Sequence, residues 1–177
     1  KKSAVFANGC FWCTEAVFSV LKGVKSVLPG YTGGKTDNPT YESVSNGNTG
    51  HAEAIQIEYD PSIISYDDLL SVFFNTHDPT TLNRQGNDIG TQYRSAIFYA
   101  DDEQKEKAER LVKELNDSNA YDKPVVTEIM PLIRFYQSEE YHREYYKNNK
   151  NQPYCQLVIA PKLEKLQERF GKLINDK

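Results

Sequence analysis

The sequence predicts an α/β or α+β two-layer sandwich. Strand-like segments alternate with amphipathic helical ones along the chain, as in folds that lay helices on a sheet. Two long polar stretches, 36–50 and 79–92, interrupt that pattern, and connections of the length of 79–92 in compact domains are usually functional or disordered. The chain of 177 residues shows no repeat, low-complexity segment or linker. Residues 1–177 are therefore expected to form a single domain able to bury a core without disulfide staples.

Residues 3–7 read as a strand running into Asn8-Gly9, and residues 14–22 as a helix stopping at Gly23, which places Cys10 at a strand-to-helix junction. Residues 24–31 form a second strand ending in Gly30-Tyr31-Thr32-Gly33-Gly34. The stretch 36–50 is loop with one helical turn near Tyr41. Residues 52–59 alternate, with Ile55, Ile57 and Tyr59 on one strand face, and Glu53 falls on that apolar face. Ser65 followed by Asp68 marks a helix start, Leu70, Phe73, Phe74 and His77 repeat at helical spacing, and Asp78-Pro79 ends it. After the polar connection a strand is expected over 93–100, a charged helix over 101–116 and a strand over 125–129. A Tyr-rich helix capped by Ser138 is expected over 138–147, and a tail helix over 161–174.

A net charge of −4 gives no nucleic-acid footprint. The longest apolar runs, 96–100 and 157–160, are far too short for a bilayer core of about 30 Å, so no membrane partner is expected. Residues 1–7 lack the apolar stretch of a secretory signal, and the missing initiator Met suggests trimming, processing or excision from a longer chain. Three cysteines are too few for a disulfide scaffold, and an odd count leaves a thiol free. A reducing, cytoplasmic setting and a monomer are the expectation.

Cys10 is the candidate nucleophile, because a helix N-terminus favours the thiolate through its dipole and unpaired N–H groups. The alternative is a buried structural cysteine. Phe11-Trp12 beside it could wall an apolar pocket for a methyl or thioether group, or be core. Cys10 and Cys13 also have the C-x-x-C spacing of a thioredoxin-like dithiol, although the bulky Phe-Trp insert makes that less attractive. A zinc site lacks a second ligand pair, since Cys155, His51, His77 and His142 show no partner spacing, so no metal is expected. His77 reads as a packed helix residue and His142 as solvent-facing. Glu53 is the informative carboxylate: desolvation on an apolar face would keep it protonated and able to donate a proton, whereas at a frayed strand edge it would be solvated. Asp88, Tyr41 and Tyr93 lie in or beside loops, where binding residues concentrate.

Gly9-Cys10-Phe11-Trp12-Cys13 resembles the G-C-F-W signature of the A-type peptide methionine sulfoxide reductases. Gly30-Tyr31-Thr32-Gly33-Gly34, Asn38-Pro39-Thr40-Tyr41, Gly50-His51-Ala52-Glu53, His77-Asp78-Pro79-Thr80 and Gly90-Thr91-Gln92-Tyr93-Arg94-Ser95 resemble that family's further blocks, in its order. The resemblance implies a ferredoxin-like two-layer sandwich with a mixed sheet and long functional loops. It implies Cys10 as nucleophile, Phe11 and Trp12 as the methyl pocket, Glu53 as proton donor, Tyr41 and Tyr93 as the hydroxyls on the sulfoxide oxygen, and Asp88 as a polar neighbour of the substrate. The S epimer of the sulfoxide as substrate is likewise implied. No bound cofactor is implied; thioredoxin or dithiothreitol would reduce a disulfide formed when a second thiol attacks the Cys10 sulfenic acid. Gln152-Pro153-Tyr154-Cys155 resembles the family's carboxyl-terminal resolving segment, which makes Cys155 the expected partner, while Cys13 stays open as the other.

Overall fold

A computed structural model describes residues 2–174. Strand β1 (Lys2–Asn8) sits at the middle of a six-stranded sheet. It pairs antiparallel with β3 (Ala52–Tyr59) on one side and with the strand Ser95–Tyr99 on the other. Burial on both faces explains why Ala4 to Ala7 read as continuous apolar sequence and not as an alternation. Helix α1 (Phe11–Ser19) carries the chain from β1 to β2 (Val24–Thr32), which pairs with β3 so that Tyr31 faces Glu53. The short α2 (Tyr41–Ser45) interrupts the first long loop, closed by a capping box in which Thr40 Oγ1 accepts from Ser43 N at 3.1 Å. Helix α3 (Tyr66–Asn75) starts at the expected Ser65–Asp68 box, with Ser65 Oγ accepting from Asp68 N at 3.0 Å.

The second long connection holds a small hairpin, β4 (Arg84–Gln85) and β5 (Asp88–Ile89), before β6 (Ser95–Tyr99). Helix α4 (Asp102–Asp117) then crosses to β7 (Glu128–Pro131), which adds to β6 in parallel, and β8 (Phe135–Gln137) adds antiparallel to β2. The order β7-β6-β1-β3-β2-β8 is a mixed sheet, and the α/β layering agrees with expectation. One face meets the helices through Phe6, Phe18, Ile55, Ile57, Tyr66 and Phe73, with the Phe6 ring 5.0 Å from Phe73 and 5.5 Å from Phe18. The opposite face is lined mainly by smaller residues, Val5, Ala7, Ala52, Ala54 and Ala96, packed with Phe98, Leu132 and Phe135. Gly30 is what lets β8 approach, since a Cβ there would lie 2.4 Å from the Tyr136 carbonyl oxygen.

Three expected elements come out differently. Residues 138–147 do not form one helix capped by Ser138: the Ser138 N–H donates to Pro29 O at 2.9 Å, which commits that residue to the β2–β8 ladder. A 3₁₀ turn, Glu140–His142, and α5 (Tyr145–Asn148) follow, separated by Glu144 at φ 52, whose N–H donates to the buried Glu15 carboxylate at 2.9 Å. The strand over 125–129 begins only at Glu128, because the Val125 and Val126 N–H groups donate to Asn116 Oδ1 and Pro79 O. The tail helix, α6 (Ala160–Phe170), starts after a π-helical turn, Cys155–Ile159, and gives way to a 3₁₀ turn, Gly171–Leu173. Among the described residues no helix is long and apolar enough to cross a membrane.

Candidate active site

Gly9 makes the turn from β1 into α1 at φ +111, and a Cβ at that position would lie 2.9 Å from Gln85 Cγ. Cys10 follows as the N-cap residue of α1. Its carbonyl accepts from Cys13 N at 3.0 Å, and Thr14 Oγ1 donates to Asn8 Oδ1 at 2.7 Å, tying the helix start to the strand end. Burial, the Cys13 thiol and the Glu53 carboxyl hold Cys10 well above the ordinary thiol range, outweighing the Trp12 backbone N–H that favours its thiolate. The helix-start argument alone had pointed the other way. The neighbour shifts the other way: the Cys10 thiol pulls Cys13 down to about 7 despite its burial, with the Lys162 charge and the Tyr154 hydroxyl helping.

Glu53 stands where the strand alternation placed it, on the helix-facing side of β3, and is 1% exposed. Its Oε1 accepts from Phe11 N at 3.1 Å, at the first residue of α1. Its Oε2 has no hydrogen-bond partner among the described residues. Burial lifts this carboxyl to about 8, only partly opposed by the Phe11 N–H, so near neutral pH it carries a proton. The frayed, solvated alternative does not hold.

Phe11 is fully buried, its ring 5.6 Å from Tyr31, 6.2 Å from Tyr41 and 5.1 Å from His142. Trp12 is only partly buried and stacks on Tyr145 at 3.8 Å with the rings 7° from parallel. Of the two aromatics, Trp12 is therefore the one with surface to offer a ligand. His142 is not solvent-facing as expected: it is 1% exposed and its Nδ1 accepts from Trp12 Nε1 at 2.9 Å, fixing the indole plane. Desolvation pushes this histidine down, in keeping with a neutral ring that can accept. Glu139, which sequence reasoning also missed, accepts from the Tyr31 hydroxyl at 2.8 Å and from Tyr41 N at 2.9 Å. The signal for both was weak, since Glu139 and His142 sit in a polar run that reads as an exposed helix. His77 is packed as expected, with Nδ1 at 2.6 Å from Phe73 O.

Burial and the nearby Glu53 raise the Tyr41 hydroxyl to about 12 and push Tyr93 up further, so both keep their protons for donation. Tyr93 also packs in the cluster of Cys10, Cys13, Ala16, Cys155 and Ile159. Asp88, in β5, accepts from the Tyr154 hydroxyl at 2.9 Å, and that same hydroxyl lies 3.4 Å from Cys13 Sγ. Cys10, Cys13, Asp88, Tyr154 and Lys162 line one cavity of about 320 Å³. The structure thus brings Cys10, Glu53, Tyr41, Tyr93, Trp12 and Asp88 to one end of the sheet from four separate segments. Cys155 is nearby but fully buried, with burial raising its thiol.

The model of the peptide methionine sulfoxide reductase family matches residues 2–174. The chain belongs to that family. It is an oxidoreductase by membership, and its resemblance extends well beyond the motifs. A peptide methionine sulfoxide reductase MsrA of Chromobacterium violaceum is 52% identical over 175 residues, covering 99% of each chain. Among solved structures, Mxr1 from Saccharomyces cerevisiae in reduced form superposes with a TM-score of 0.81 at 36% identity, over 87% of this chain and 88% of that one. The same yeast protein in complex with Trx2 matches with a TM-score of 0.58 at 26% identity, over 81% of this chain and 84% of that one.

Proposed function

We propose that residues 1–177 act as one catalytic domain that reduces methionine S-sulfoxide, free or in proteins and peptides, to methionine, in the repair of oxidative damage. One observation carries the reading: a buried carboxyl that keeps its proton near neutral pH lies against the backbone N–H that follows the nucleophilic cysteine. Cys10 attacks the sulfoxide sulfur while Glu53 protonates the departing oxygen and the Tyr41 and Tyr93 hydroxyls hold it. Methionine leaves and Cys10 becomes a sulfenic acid. The partly buried Trp12, oriented by His142, offers the apolar surface for the S-methyl group, with Phe11 behind it and Asp88 at the polar side. The chain is expected to work as a cytoplasmic monomer with no bound cofactor. Incubation with a peptide carrying the separate sulfoxide epimers and dithiothreitol tests this: the S epimer alone should be consumed over many turnovers, and a single oxidation without turnover would mark a sensor instead.

Regeneration requires a second thiol and then thioredoxin, a partner supported by the yeast relative's complex with Trx2. Cys155 is the proposed resolving residue, carried on a π-helical turn shortly after a segment, 149–152, without regular helix or strand. Cys155→Ser should complete one reduction per chain and accumulate a sulfenic acid that dimedone traps, while thioredoxin-supported turnover collapses. A second reading rests on Cys10 and Cys13 packing in one cluster and lining one cavity, which supports Cys13 as a thiol within reach of the nucleophile. Peptide mapping of the oxidised protein separates them, because a dominant Cys10-Cys13 linkage would transfer the role to Cys13.

A further inference from the structure

Cys13 is buried, yet neither the attack nor the proton donation described above uses it. Its surroundings are specific. Cys10, one turn earlier, packs in the same cluster and lines the same cavity, and the Tyr154 hydroxyl lies 3.4 Å from the Cys13 sulfur while donating to Asp88 Oδ2 at 2.9 Å. Lys162 of α6 lines the same cavity. The remaining ionisable groups that bear on these sulfurs are Glu53, Tyr41, Tyr93 and Cys155.

A hydroxyl has one proton to give. While Tyr154 donates to Asp88, it can only accept from Cys13, which suits a neutral Cys13 thiol. When Cys13 is a thiolate, Tyr154 donates to that sulfur instead, and Asp88 must turn to water in the cavity. The arrangement therefore couples the direction of one hydroxyl to the charge on Cys13.

We propose that Cys13 is the base that takes the Cys10 proton during attack on the sulfoxide, and that Tyr154, held by Asp88, is the positioning residue that sets the charge of Cys13. The step balances. The Cys10 S–H bond breaks and its proton goes to the Cys13 thiolate as the Cys10 sulfur bonds to the sulfoxide sulfur. The sulfoxide oxygen takes the Glu53 proton and ends on Cys10 as the sulfenic acid, the thioether leaves reduced, and Cys13 later returns a proton to Glu53. A base titrating at about 7 is well matched to this transfer near neutral pH, where Cys10 itself remains a thiol. The proposal deepens the sulfoxide reductase reading and rests on it.

Two measurements test it. In single turnovers followed by methionine release, wild type should show an ascending limb near pH 7, and Cys13→Ser should lose that limb and slow by about 10²-fold at pH 7.5. In the second, iodoacetamide labelling of Cys13 is mapped against pH. Tyr154→Phe, which removes a donor to the thiolate, should move the labelling midpoint up by about one unit. Asp88→Asn, which removes a negative charge and leaves only a weaker, neutral acceptor for Tyr154, should move it down. Disturbed folding does not produce opposite signs in two variants of one hydrogen-bonded chain. Unmoved midpoints in both variants overturn the Tyr154 role, and a Cys13→Ser protein that keeps its ascending limb overturns the base. If even wild type released no methionine, the reductase reading would fall with the base, while labelling would still judge Tyr154.

Discussion

Cys10→Ser is expected to lower sulfoxide reduction by more than about 10⁴-fold while leaving the fold intact, because a serine hydroxyl beside the same backbone cannot accept oxygen as a sulfenic acid. Cys10 is 8% exposed and its side chain makes no cap bond to α1, so the helix start does not depend on sulfur. What positions the residue is Gly9, the Asn8–Thr14 bond and the Glu53–Phe11 bond, all untouched by the substitution. Thermal unfolding should accordingly stay within about 3 °C of wild type, a shift of the order that 1 kcal/mol gives in a chain this long. The decisive reading is the first turnover: no methionine should be released even without a reductant, and dimedone should label nothing. A folded Cys10→Ser protein with a normal first turnover would exclude Cys10 as nucleophile.

Much of this site was legible in the sequence because its parts obey local rules. The period-2 alternation of β3 put Glu53 on the same face as Ile55 and Ile57, and a carboxyl on that face is desolvated once the helices cover it. The break at Asn8-Gly9 before a helix placed Cys10 at the N-cap. The direction of the Cys10 shift was not legible, because it depends first on how deeply the fold buries the thiol, and then on Cys13 and on the Glu53 carboxyl brought in from β3. The same applies to His142 and Glu139, whose partners lie far away in sequence on α1, β2 and α2. Residues 138–147 illustrate the cause: Ser138 has a good capping side chain, but its N–H is worth more to the ladder with β2, and tertiary pairing overrides local propensity. The short β4, β5 and β8 carried too few residues for any period to show.

Glu53→Gln should slow formation of the sulfenic acid by about 10²–10⁴-fold, the usual range for a positioned acid, since the amide keeps the shape and the Phe11 contact but has no proton to transfer. The pH dependence gives the sign. Glu53 is lifted from 4.5 to about 8, so the donor form is present below that value and activity falls as pH rises through it. In the variant that descending limb near pH 8 should vanish, leaving a flat, slow profile on the alkaline side. Stability follows the same ionisation. The folded carboxyl binds its proton more tightly than the unfolded one, so its favourable contribution is complete below pH 4.5 and is lost progressively up to pH 8. A shift of that size corresponds to something on the order of 5 kcal/mol between the two limits. Glu53→Gln does not titrate, so its unfolding temperature should gain on wild type between pH 5 and pH 9. A single-turnover rate equal to wild type would rule out Glu53 as the acid, and parallel stability profiles for the two proteins would show that the buried carboxyl does not hold its proton.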